Sequence, residues 1–201
     1  MKQTLIGRPQ SIFVKKGGLL RAAEAIRLGI HPRDLYGMRD RGELIELSRG
    51  LFRLASLPPP EDPDLLAVAV RVPRAVVCLT SALAYHDLTT EVPHEVNIAL
   101  PRSVSRPRLD HPPLRVFNFS KESFKAGVET RMTDGVVFRI YCPGKTIVDC
   151  FKFRNRIGLD VALDALKRFL ARKGASTREL LEFARICRVE KVIVPYLEAL
   201  Q

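Results

Sequence analysis

Several side chains in this 201-residue chain are of types that could do chemistry. His86 and Asp87 are adjacent, and Ser81 precedes them by one helical turn and a half. An imidazole with a carboxylate partner can activate a hydroxyl nucleophile, but no spacing here forces that arrangement. A histidine at a helix end equally suits a structural hydrogen bond. Pro143-Gly-Lys-Thr146 has the ending of a phosphate-binding loop, yet the full pattern needs a glycine five residues before Gly144, where Arg139 stands. A helix start explains the four residues better. Asp149 is a lone carboxylate on an apolar helix face of Ile147, Val148 and Phe151. Lys145, one turn earlier, is placed to pair with it. A nuclease needs several acids and a lysine converging on a metal, and Glu95, Asp110 and Asp149 form no recognisable set. Cys78, Cys142, Cys150 and Cys187 make no CxxC pair and lack histidines at ligand spacing, so free thiols are expected. The sequence thus leads us to expect no catalytic residue, no metal site and no cofactor. A nuclease or nucleotide-handling domain in residues 64–201 stays open as the alternative.

The cations point elsewhere. Lys and Arg outnumber Asp and Glu by 33 to 22, a net charge of +11, and a field of that size favours polyanions such as nucleic acid or an anionic membrane surface. The charge is densest before residue 57, with eleven Lys and Arg against five Asp and Glu. Within that stretch the cations fall into a pattern. Gly17-Gly18 breaks a preceding helix, and Leu19-Leu20 suits a very short strand. Arg21 to Leu28 places Ala22, Ala25, Ile26 and Leu28 on roughly one helical face, and Gly29 ends it. Pro32 suits the first position of a second helix, which runs to about Arg41 and stops at Gly42. Leu35 and Met38 form its inner face; Arg33, Tyr36, Gly37, Asp40 and Arg41 form its outer face. Glu43 to Leu47, a turn at Ser48-Arg49-Gly50, and Leu51 to Leu54 make a hairpin. Helix, glycine turn, helix and hairpin together predict a winged helix-turn-helix. Its second helix would lie in the major groove of duplex DNA, where arginine reads guanine. The candidate DNA-binding residues are Arg33, Tyr36, Gly37 and Arg41 from the helix, Arg49 from the wing tip, and Lys15 and Lys16 for backbone contacts.

These elements set the organisation. Leu57-Pro-Pro-Pro-Glu-Asp-Pro63 can neither continue a helix nor sit in a central strand. It reads as a linker (57–63) between a winged helix (1–56) and an α+β domain (64–201). In the second domain helices are expected at 64–71 and 80–88, the latter capped by Thr80 or Ser81, and strands at 95–100, 114–119 and 136–141. Helices then follow at 145–154, 160–173, 176–185 (a capping box, Ser176 to Glu179) and 189–200. The basic run Lys152-Phe-Arg-Asn-Arg156 fits either a solvated helix end or a further nucleic-acid contact. The apolar runs are too short to span a membrane, the first ten residues lack a secretory signal, and a cytoplasmic location is expected.

The stretch from Gly17 to Tyr36, with Arg41-Gly-Glu-Leu44 and Ser48-Arg-Gly-Leu-Phe52, resembles the AbiEi family of antitoxin regulators. Thr80 to His86, Tyr141 to Cys150, Ala184 to Val189 and Pro195 to Ala199 agree with it in order. The resemblance implies an N-terminal winged helix joined to a C-terminal antitoxin domain. It implies repression of the protein's own operon, commonly through inverted repeats in the promoter. It also implies opposition to a nucleotidyltransferase-like toxin, AbiEii, in a type IV arrangement linked to abortive phage infection, which needs no stable complex. A protein-interaction module that captures the toxin directly is the other alternative. Gly37 departs from expectation: it sits on the outer face where a longer side chain would serve, and can instead admit close backbone approach.

Overall fold

The computed structural model describes residues 7–200, which divide into two compact units. The first comprises the chain through Arg71 together with Asp110–Pro112 and Met132–Val136; the second comprises Val72–Leu109, Pro113–Arg131 and the chain from Val137.

The first unit runs α1 (Gly7–Lys15), β1 (Leu19–Arg21), α2 (Ala22–Arg27), α3 (Pro32–Asp40), β2 (Leu44–Ser48), β3 (Leu51–Leu54) and α4 (Pro63–Arg71). The strands form an antiparallel sheet in the order β1-β3-β2. This is the winged helix-turn-helix that the sequence predicts. Phe13, Leu20, Ala25, Ile30, Leu35, Met38, Leu44, Phe52 and Leu54 make its core, each large apolar side chain contributing about 1.5–3 kcal/mol by leaving water. The turn between α2 and α3 is set by Gly29, at φ +92°. There the Gly29 N–H donates to the Ile26 carbonyl and the Ile30 N–H to the Ala25 carbonyl, which satisfies the orphaned end of α2. Ile30, buried, plugs the corner. The inward side of α2 is narrower than its spacing predicts: Ala25 is buried, but Ile26 and Leu28 are 42% and 38% exposed. A helix of six residues has little more than one inward side.

Helix α4 lies in the first unit, whereas the proline-based boundary assigned residues 64–71 to the second segment. Prolines mark where regular structure stops, not which core the next helix joins. Asp62 starts α4, its carboxylate accepting from the Leu65 N–H at 2.8 Å. The helix then buries Leu65, Leu66, Ala67, Val68 and Ala69.

The second unit is α+β. It adds β4 (Val76–Val77), α5 (Leu79–Tyr85), β5 (Val96–Pro101), β6 (Leu114–Phe119), α6 (Lys121–Lys125), β7 (Val128–Thr133) and β8 (Val136–Tyr141). It continues with α7 (Pro143–Lys152), α8 (Arg154–Ile157), α9 (Leu159–Leu170), α10 (Thr177–Cys187) and α11 (Glu190–Ala199). The sheet is mixed, in the order β6-β5-β4-β8-β7. β4 lies antiparallel to β5 and parallel to β8, and β5 parallel to β6. Helix α7 is the central post. Every residue from Gly144 to Phe151 is buried, and α5, α9, α10 and α11 pack around it. The expected cap of α5 is corrected: Cys78 occupies the cap position without a side-chain bond. Ser81 instead accepts from the Asn97 N–H at 2.9 Å, tying α5 to β5. Ser176 does cap α10, accepting from the Glu179 N–H. Among the described residues no helix is long and apolar enough to cross a membrane.

Candidate nucleic-acid interface

Helix α3 is built to show one side. His31 starts it, its Nδ1 accepting from the Arg33 N–H at 3.2 Å, and Pro32 follows at the first helical position. Gly42, at φ +75°, ends it, with the Glu43 N–H donating to the Met38 carbonyl. Leu35 and Met38 are buried, and Arg33, Tyr36, Asp40 and Arg41 are exposed, as the spacing predicts; Gly37 is half-buried.

The outer face holds more internal structure than the sequence suggested. The Tyr36 ring packs edge-on against Phe52 at 5.9 Å and carries the Arg39 guanidinium 5.1 Å above its centroid. Arg39 also donates from Nε and Nη2 to Asp40 and lies 3.6 Å from Glu46 of β2. Its hydrogen bond to Asp40 raises its pKa further. Arg41 donates from Nε to Glu43 at 2.6 Å, and its Nη1 lies 3.1 Å from where a Cβ on Gly37 would stand. Arg33 and Lys15 and Lys16, exposed at the end of α1, have no ion pair among the described residues. Arg49 is 89% exposed at the wing turn and lies 3.8 Å from the equally open Asp110, a separation that holds neither side chain.

Tyr36, Gly37 and Arg41 are therefore brought together with Arg33 on one helix face. Lys15, Lys16 and Arg49 sit on α1 and the hairpin, joined to that group by no hydrogen bond or ion pair. Arg53, the cation of the return strand, is buried and donates to Asp134 at 3.2 Å and to the Leu57 carbonyl, so it faces inward. Sequence reading missed Arg39, Glu43 and Glu46 as parts of the face. Glu43 had a signal, since a carboxylate two residues beyond an exposed arginine and just past the helix stop is within its reach.

Two residues of the enzymatic alternative, His86 and Thr146, bond the same Tyr141 carbonyl. His86 donates from Nε2 to the Tyr141 carbonyl at 2.8 Å, and burial pushes its pKa down. Thr146 bonds the Cys142 carbonyl at 2.9 Å inside the first turn of α7. Lys145 and Asp149 pair with each other, both fully buried, and burial pushes the Asp149 carboxyl up against the opposing pull of Lys145. Glu95 pairs with Arg115, and Asp110 approaches Arg49. Among the described residues no three His, Cys, Asp or Glu are grouped to hold a metal ion, and all four cysteines are free and buried. In the run 152–156 the Arg156 guanidinium lies 4.2 Å from the Phe117 ring and Arg154 donates to the Phe151 carbonyl.

The exposed face belongs to a segment with known relatives. Residues 8–55 match the AbiEi antitoxin family of transcriptional regulators. The AbiEi match spans α1 through β3 and includes all seven expected contact residues. Over the whole chain the fold is similar to the crystal structure of the RV2827C protein from Mycobacterium tuberculosis. The TM-score is 0.54 at 14% identity, with 96% of this chain and 80% of that chain covered. At that identity the likeness is one of fold. No curated protein matches. The matched segment is thus similar to AbiEi transcriptional regulators, and α3 within it carries the exposed face.

Proposed function

We propose that the protein is a DNA-binding repressor of its own operon and the antitoxin to a nucleotidyltransferase-like toxin, with no catalytic activity of its own. The reading rests on one observation: the AbiEi-matched module buries Leu35 and Met38 while Arg33, Tyr36 and Arg41 stay open on the same helix. Such a helix meets base edges in the major groove, and exposed cations on α1 and the wing meet phosphates on either side. Inverted repeats in the promoter are the expected operator, and DNA as the target implies a cytoplasmic protein.

The test is a reporter fused to the promoter upstream of the protein's own gene. Wild type represses it, and Arg33→Ala with Arg41→Ala relieves repression at equal protein level; a reporter blind to both protein and substitutions refutes the reading. Antitoxin action is tested by growth. Co-expression restores growth to cells making the neighbouring nucleotidyltransferase, and failure to do so removes that half of the proposal. Abortive infection follows as its role in phage defence.

A further inference from the structure

We propose that Glu43 and Gly37 are positioning residues that turn Arg41 into a guanine-reading side chain, an inference that rests on the DNA-binding reading above. Three arginines line α3 or its end, and the structure treats each differently. Arg39 spends Nε and Nη2 on Asp40, sits near Glu46 and lies over Tyr36, so its donors are engaged within the fold. Arg33 has no ion pair among the described residues and suits a phosphate. Arg41 alone is held with donors to spare.

Its Nε donates to Glu43 at 2.6 Å. A guanidinium has five N–H donors in one plane, so this bond leaves the end formed by Nη1 and Nη2. That end matches O6 and N7 of guanine as a two-point contact. Side chains on a helix lean toward its N-terminus, so Arg41, at the C-terminal cap of α3, reaches back about one turn. Its path crosses Gly37, where a Cβ would stand 3.1 Å from Nη1 and would shift the guanidinium by a few tenths of an ångström. Glycine in a helix interior is unfavourable on its own account, and here it leaves a notch for the guanidinium. Glu43 is 25% exposed and Arg41 59%, so the carboxylate is the more covered partner and the guanidinium the more open. Fixing a flexible side chain before binding lowers the ordering cost when the base arrives.

The experiment uses the full chain and a duplex DNA pool with a randomised core, then single-base changes of whatever duplex wild type enriches. Wild type is expected to prefer guanine at one position by roughly 5- to 150-fold, and Arg41→Ala to level that preference. Glu43→Ala and Gly37→Ala should each cut it fivefold or more, with the thermal midpoint of Gly37→Ala no lower than wild type. Glu43→Ala should bind unselected duplex more tightly, because a carboxylate near phosphates is gone, and should leave the levelled guanine preference unchanged when Arg41 is already alanine. A guanine preference that survives both Glu43→Ala and Gly37→Ala overturns the inference, as does an enriched duplex with no Arg41-dependent guanine; both leave the DNA-binding reading intact. A destabilised Gly37→Ala leaves the decision to Glu43→Ala. A pool from which wild type enriches nothing overturns the reading itself.

Discussion

Replacing Asp149 with asparagine removes one charge from a pair that is closed off from bulk solvent. Lys145 and Asp149 are both fully buried on α7, and breaking a buried pair from one side costs about 3–5 kcal/mol, because the remaining charge stays unpaired. The structure orders the two single variants. With Asp149 neutral, the Lys145 ammonium keeps the faces of Tyr141 at 4.0 Å and Phe119 at 4.9 Å, worth about 2 kcal/mol where water is excluded. Asp149→Asn should therefore fall near ~3 kcal/mol. With Lys145 replaced by methionine, the carboxylate keeps, among the described residues, the Cys187 thiol at 3.5 Å and the weaker field of Lys152, and the loss should approach ~5 kcal/mol at neutral pH. Burial already pushes the Asp149 carboxyl up, and losing Lys145 pushes it further. Its folded-state pKa then lies above its unfolded one, so the Lys145→Met protein recovers stability as pH falls and loses it as pH rises. The double variant Lys145→Met/Asp149→Leu should lie within about 1–2 kcal/mol of wild type, since apolar replacements of buried pairs are often neutral. Urea unfolding followed by far-ultraviolet circular dichroism measures all four proteins. Single variants costing under about 1 kcal/mol, or a double variant losing the sum of the two, would show that the two charges do not depend on each other.

Leu35→Ala, at the fully buried centre of α3, should cost about 2–5 kcal/mol and lower DNA affinity through unfolding, so affinity should recover on cooling; a stable variant contradicts the packing. Arg53 is buried against Asp134, and Asp134→Asn should destabilise the protein by about 1–3 kcal/mol in urea titrations while leaving DNA affinity unchanged within twofold. His86 is held neutral, its pKa lowered by burial despite the bond to the Tyr141 carbonyl. Stability should fall as pH drops below the ordinary histidine value of about 6.5 and level off once the folded form is protonated too. His86→Gln should flatten that decline, and an unchanged pH profile in this variant would remove His86 as its cause.

The reading helix was legible because its limits are local. Gly29, Pro32 and Gly42 fix its ends through backbone geometry, and Leu35 with Met38 fixes its inner side. The Lys145–Asp149 pair was legible for the same reason, being one helical turn apart. What failed was long-range. The burial of Arg53 has no local signal because its partner Asp134 lies 81 residues away. β4 escaped because Val76–Val77 is too short to alternate, and β7 because Val-Glu-Thr-Arg-Met-Thr carries few apolar groups and is half-open along its length. At the interface the residue types were read one by one, and the ion pairs among them were not. Arg39 was passed over although it anchors Tyr36, and Arg41 was counted without Glu43.

Repression through DNA requires that cations of the first unit meet the backbone of the duplex. Fluorescence anisotropy of a labelled duplex from the upstream promoter, titrated with the full chain across a range of NaCl, measures this directly. Four phosphate contacts from Lys15, Lys16, Arg33 and Arg49 predict a log–log slope of about −3.6 per bound protein. The slope should flatten toward zero when all four become alanine at unchanged thermal stability. Affinity indifferent to salt, or the same slope in the fourfold variant, would contradict it.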